Sequence, residues 1–225
     1  MNEENTSRLD EIKSAPFIQA QGLTMNSIIG TPYRNVDLSV PRNSFVVING
    51  EDCTGKTPLL LTLAGRMAPS KGTLTVGGFV SPKERNKIAR IAGLGLFHGI
   101  NDLDENLTCK AQLRAELELY GKPNRADDLR DYFATWRLEH IMDKRVRDLA
   151  HYDLIKLGIA LGMANDPQML VVDAVEEKLT YEQLHRVLEV LQDLAHNGHK
   201  VVVAACTEPS LASYADVSLQ LRRAK

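Results

Sequence analysis

NGEDCTGKTPLLLTLAG, residues 49–65, sets two glycines, a lysine and a hydroxyl at the spacing Gly50-x-x-x-x-Gly55-Lys56-Thr57. The run SFVVIN just before it is short, apolar and β-branched, and LLLTLAG after it favours helix, so the stretch reads as strand, loop, helix. That context is what a phosphate-binding loop requires. Its glycines let backbone N–H groups approach the phosphates, Lys56 would reach the β/γ oxygens, and Thr57 would ligand Mg²⁺. Two acids, Glu51 and Asp52, stand inside the loop and oppose a polyphosphate, although an exposed, salty setting weakens that opposition. Cys53 sits near a helix N-terminus, where a thiol can become more acidic, but its simpler reading is a small residue filling a glycine or serine position.

Working outward, the runs MLVVD (169–173) and KVVVAA (200–205) repeat the short, uniformly apolar pattern of strands covered on both faces. They predict a mostly parallel, helix-flanked sheet, hence an α/β fold. Between about residues 106 and 163, LTCKAQLRAELELYG, ADDLRDYFATWRLEHIM and DLIKLGIALGMA space their apolar residues by three and four, the pattern of amphipathic helices inserted between two parts of the sheet. Thr180 and Gln183 fit a capping box that opens the helix YEQLHRVLEVLQDLAHNG, with Gly198 ending it.

The chain has 225 residues, 44 % apolar and 25 % charged, with a formal charge of −2. This supports one compact domain with a subdomain and gives no broad basic field, so nucleic acid is not an expected partner. The polar start MNEENTSRLDEIKSA has no signal-peptide core, and no apolar run approaches the roughly 20 residues of a membrane span, so a cytoplasmic location is expected. Cys53, Cys109 and Cys206 have no metal-ligand spacing and predict no structural disulfide.

The continuation LLLTLAGRMAPSKGTLTVGG, followed by LTCKAQLRAELELYG, VRDLAHYDLIKLGIALGMANDPQMLVVDAVEEKL and GHKVVVAACTEPSLASYAD, resembles the ATP-binding subunit of an ABC transporter over nearly the whole chain. The resemblance implies a P-loop NTPase fold of the ABC ATPase type: a mostly parallel central sheet, an antiparallel β subdomain and an inserted helical subdomain at about 100–163. Residues 16–225 would form that domain and 1–15 a flexible N-terminal segment. ATP and Mg²⁺ become the expected cofactors, with Gly50, Cys53, Thr54, Gly55, Lys56, Thr57 and Pro58 around the nucleotide and Thr57 and Asp173 at the metal. The implied partners are an integral membrane permease and a second ATP-binding subunit, in a homodimer or heterodimer peripheral to the inner face of the membrane.

Several positions depart from that family's pattern. The signature positions read Leu149, Ala150, His151, Tyr152 and Asp153, without the usual serine and glycines; His151 then reads as part of a solvated helix start and Asp153 as a favourable charge there. Ala174 stands where the catalytic glutamate is expected, and a methyl cannot orient water. Glu176 and Glu177 follow, but Glu176 would need a different loop path to help, and both read as solvated. Cys206 replaces the switch histidine. His98 or Gly99 falls at the Q-loop glutamine, and His98 reads as a loop histidine without a role. The adenine-stacking position falls near Ser27 or Ile28, leaving Tyr33 a weak candidate for π contact. Pro58 removes an N–H and a hydroxyl from the α-phosphate side, although proline suits a first helical turn. The expected function is Mg-ATP binding, with slow or no hydrolysis, that biases the conformation of a permease; the alternative is a pseudo-ATPase scaffold that binds no nucleotide. A soluble P-loop kinase fits the helical insertion and strand order poorly.

Overall fold

A computed structural model describes residues 15–28 and 30–224. Most of the N-terminal segment expected to be flexible therefore lies outside the described residues. Strands β1 (Ile18–Ser27) and β2 (Gly30–Val40) form an antiparallel hairpin, and β3 (Phe45–Asn49) leads to the loop and helix α1 (Lys56–Leu63). Strands β4 (Lys71–Val76) and β5 (Phe79–Ser81) then complete an antiparallel sheet of order β2-β1-β4-β5. Helix α2 (Arg85–Ile91) and strand β6 (Ala92–Leu94) precede the helices α3 (Cys109–Leu119), α4 (Ala126–Thr135) and α5 (His151–Gly162). Strand β7 (Met169–Val172), helix α6 (Tyr181–His196) and strands β8 (Val201–Cys206) and β9 (Val217–Gln220) close the chain.

The second sheet has the order β6-β7-β8-β3-β9 and is parallel throughout. Burial on both faces explains why the inner strands β3, β7 and β8 read as apolar runs, whereas the edge strand β9 (VSLQ) is covered only in part. In β8, Val201, Val203 and Ala205 face the core shared with α1 and the antiparallel sheet, while Val202, Ala204 and Cys206 face a second core under α6. Strand β3 divides in the same way, with Val46 and Ile48 on one side and Phe45 and Val47 on the other. A third core, including Leu113, Leu117, Leu129, Phe133, Leu157 and Leu161, lies within the helices α3 to α5. Their apolar stripes thus meet each other, which lets the inserted helices bury a face without enlarging the sheet.

The capping box at α6 forms: the Thr180 hydroxyl accepts from Gln183 N, and the Gln183 side chain accepts from Thr180 N. The helix ends differently from expectation. It stops at His196, and the left-handed residue is His199, at φ 55°, rather than Gly198. Gly198 is needed for a close approach instead, since a Cβ there would lie 2.6 Å from the Leu194 carbonyl oxygen. All three cysteines are free, with Cys109 and Cys206 buried and Cys53 exposed.

Candidate functional site

Strand β3 ends at Asn49, and the following loop wraps around the Lys56 side chain, whose ammonium donates to the carbonyls of Gly50, at 2.6 Å, and Glu51, at 2.8 Å. Thr54 is buried, and its hydroxyl holds the loop shut by donating to the Glu51 carbonyl at 2.8 Å. Cys53 is exposed and adopts φ 61°, the glycine-like conformation its position suggests. At Gly55, φ is 92°, and a Cβ would sit 2.1 Å from the Pro32 carbonyl oxygen. Only glycine fits between the loop and the base of the hairpin.

Gly55 caps α1 without a side-chain hydrogen bond, and no acid lies in the first turn of the helix. The N–H groups of residues 51–57 have no backbone acceptor among the described residues. Unpaired donors at a helix start suit an anion, and together with Lys56 they fit a polyphosphate. Pro58 is the third residue of α1 and lines the same cleft without an N–H to offer.

The Thr57 hydroxyl donates to Asp173 Oδ2, joining the start of α1 to the end of β7. A hydroxyl beside a carboxylate is an oxygen-only donor set, as Mg²⁺ requires. Ala174 N donates to the other carboxylate oxygen, Oδ1, at 3.0 Å. Burial pushes the Asp173 carboxyl above the usual carboxylate range, the Thr57 and Ala174 bonds and Lys56 oppose that shift, and the Glu176 charge adds to it. A cation bound there would relieve the cost of keeping Asp173 ionised.

These residues line a cleft of about 600 Å³ that also takes in Ser27, Gly30, Thr31 and Pro32 from the hairpin, Asp52 and Cys53 from the loop, and Glu176 and Thr207 opposite. Gly50 and Thr54 shape the loop from beneath and do not line the cleft. Tyr33 is no π partner for a base: it is fully buried, and its hydroxyl pairs with Thr62 at 2.8 Å. Strand alternation explains this, since a residue one position from the cleft-lining Pro32 points to the opposite face.

His98 stays outside the cleft, fully exposed, with its ring 3.6 Å from Asp102. Cys206 also faces away, into the core beneath α6, and burial pushes its thiol up to about 12. It cannot act as an acid or base for a ligand in the cleft at neutral pH. Its neighbour Thr207 takes the cleft position instead. Asp153 does more than favour the helix start: its carboxylate lies 3.2 Å from the His140 ring. His151 opens α5, partly buried, behind an N-cap Ala150 that offers no side-chain bond.

Glu176 overturns the reading of a solvated acid. Ala174 adopts φ 46°, and the chain turns so that Val175 enters the core and its N–H reaches the Ala205 carbonyl at 3.2 Å. Glu176 then returns to the cleft, where its Oε1 accepts from both the N–H and the hydroxyl of Thr207. Sequence reasoning also passed over Thr207, which nothing but its place after Cys206 marks, and Arg223, whose guanidinium reaches the Asp52 carbonyl at 3.3 Å.

Comparison with known proteins agrees with this geometry. The chain is 29 % identical over 166 residues to the ABC transporter ATP-binding protein NatA of Bacillus subtilis, covering 72 % of this chain and 66 % of that protein. It is 27 % identical over 223 residues to the energy-coupling factor transporter ATP-binding protein EcfA2 of Lactobacillus johnsonii, covering 94 % and 74 %. The fold matches the ATP-binding cassette MJ0796, solved as a dimer bound to ADP and Pi, with a TM-score of 0.78 at 19 % identity over 92 % of this chain and 97 % of that one. CbiO1 of Clostridium perfringens, described as part of the ABC transporter complex cbiONQ, matches with a TM-score of 0.76 at 17 % identity over 91 % and 84 %. Residues 33–175 match the ABC transporter family. That match runs through more than half of the chain, from the buried Tyr33 past the Asp173 carboxylate, and the chain belongs to the ABC transporter family.

Proposed function

We propose that this chain is the ATP-binding subunit of an ABC-type transporter, in which Mg-ATP binding, with slow or no hydrolysis, biases the conformation of a membrane permease. The observation that carries this reading is the meeting of the Lys56 loop with Asp173 through the Thr57 hydroxyl, at the mouth of a cleft rimmed by the β1–β2 hairpin. Lys56 and the free loop N–H groups would hold the phosphates, and Thr57 and Asp173 would hold Mg²⁺, which neutralises phosphate charge when bound. The chain would pair with a second ATP-binding subunit, as its own copy or a relative, and attach to the inner face of a membrane through the permease. No helix among the described residues is long and apolar enough to cross a membrane, which fits a separate membrane partner.

A scaffold that binds no nucleotide is the second reading, favoured by Asp52 in the cleft and by the two loop carbonyls that already engage Lys56. Titration with a fluorescent ATP analogue separates them. The parent chain is expected to bind in the presence of Mg²⁺ and the Lys56→Ala variant to bind far more weakly. Absence of binding in both refutes the nucleotide reading and leaves the scaffold.

A further inference from the structure

We infer that the seam between the inserted helices and α6 is a second binding site, separate from the Lys56 cleft, for a planar aromatic anion. The seam is marked by Trp136, which follows the last residue of α4 and is the only tryptophan in the chain. Trp136 packs against both the core under α6 and the core within α3 to α5, so it stands where the two meet. A cleft of about 860 Å³ opens beside it, larger than the cleft at Lys56, with α4 and α5 on one side and α6 on the other. Small ligands are commonly held at such joints, in spaces of this order.

Trp136, Tyr152, Val190 and Leu194 give the cleft an apolar floor, and the charges on its two walls are not equivalent. On α6 each charged side chain already has a partner on its own helix or just beyond it. Arg186 donates to Glu182 at 2.6 Å, Glu189 lies 3.2 Å from the His185 ring, and Asp193 accepts from the Asn197 side chain at 2.6 Å. On the opposite wall Arg137 and Lys156 have no carboxylate at ion-pair distance among the described residues, and the nearby Asp153 is held by His140 at 3.2 Å. The Lys156 ammonium lies 5.6 Å from the centre of the Tyr152 ring, and its bond to the Arg137 carbonyl is long, at 3.5 Å. Burial holds that ammonium below the usual lysine range; Arg137 adds to the shift, and the charges of Asp153 and Glu139 oppose it. A partly desolvated cation over an aromatic face, with a second cation beside it, favours an anion between them.

Two cations above an aromatic floor suit a flat ring system that carries one carboxylate or sulfonate. The anionic group would meet Lys156 and Arg137 in charge-assisted hydrogen bonds, and the rings would lie against Trp136 and Tyr152. An inorganic anion would leave the floor uncovered, and a neutral ring would leave the cations unmatched. A ligand seated there would touch α4, α5 and α6 together and so hold the inserted helices against the sheet.

The lone tryptophan makes the site directly observable. The probe is 1-anilinonaphthalene-8-sulfonate, followed by energy transfer from Trp136, and its control is N-phenyl-1-naphthylamine, the same ring system without the sulfonate. Saturable binding of the sulfonate at one site is expected, with the uncharged ring weaker by about tenfold or more. Lys156→Met and Arg137→Gln should each weaken the sulfonate by about tenfold, whereas Lys156→Arg should stay within about threefold of the parent. Melting curves without probe establish that the variants fold, and the comparison of the two probes on the parent needs no variant. Millimolar Mg-ATP and the Lys56→Ala substitution should leave the affinity unchanged, whatever the Lys56 cleft binds. Equal affinity for both probes overturns the assignment, as does parent-like affinity in folded Lys156→Met or Arg137→Gln. Displacement by Mg-ATP also overturns it, because the probe would then sit at Lys56, and so does the absence of saturable binding to the parent.

Discussion

Replacing Pro58 with serine should tighten Mg-ATP binding while loosening the empty protein. Pro58 is the third residue of α1 and lines the cleft beside Lys56 and Thr57, so a serine there would present an N–H and a hydroxyl where neither exists. The helix ladder gains nothing from that N–H, because first-turn donors have no acceptor within their own helix. The Thr62 hydroxyl keeps its bond to the residue 58 carbonyl, at 2.8 Å in the parent, since only the backbone oxygen is involved. One hydrogen bond to a charged phosphate is worth about 1.5–3 kcal/mol. At about 1.4 kcal/mol per factor of ten, that predicts a dissociation constant about 10- to 100-fold lower. Losing the ring frees the unfolded chain by about 0.4–1 kcal/mol, which lowers the nucleotide-free Tm by about 1–4 °C. Fluorescent-nucleotide titration and melting curves with and without Mg-ATP measure both effects. An affinity within threefold of the parent would refute the placement of residue 58 at the phosphates.

Tyr33→Phe deletes a buried hydroxyl while Thr62 retains its bond to the Pro58 carbonyl, so the cost should be about 1 kcal/mol in denaturant melts, with nucleotide affinity unchanged because Tyr33 lies outside the cleft. A loss of affinity without a loss of stability would contradict that placement. Asp216 gives a pH signature. Partial burial pushes its carboxyl up, but the His196 ring at 2.8 Å and the Phe45 N–H at 2.7 Å outweigh this and hold it below the usual range. Because the folded pKa is depressed, the contribution is complete above the unfolded carboxylate value near 3.9 and disappears as pH falls through the folded one. The parent should therefore lose more Tm than Asp216→Asn between pH 5 and pH 3, and parallel curves would remove Asp216 as the cause.

The phosphate loop was legible because its chemistry is local: Gly55, Lys56 and Thr57 are consecutive, and Asp173 sits at the end of an apolar run whose length marks a strand. Glu176 and Thr207 were not, because 31 residues separate them and they meet only through a left-handed turn at an alanine, which no propensity predicts. Cys206 shows a different limit. Its strand is buried on both faces, so the run VVVAAC carries no polar alternation to say which residues look toward α6 and which toward α1. Tyr33 was ambiguous for want of a fixed register, since shifting a strand by one residue exchanges its faces.

The position of β3 within its sheet bears on how the chain is made. Its two hydrogen-bonded neighbours are β8 and β9, so the strand that launches the phosphate loop is synthesised long before either partner exists. The Phe45 N–H waits for a carboxylate 171 residues downstream. While the ribosome is still producing the intervening helices, FVVIN remains an unpaired apolar strand with both edges open, a ready template for mispairing with another nascent copy. Pairing of β3 with β8 and β9 therefore closes long loops, the kind of contact that slows folding, whereas the helices α3 to α5 meet over shorter separations.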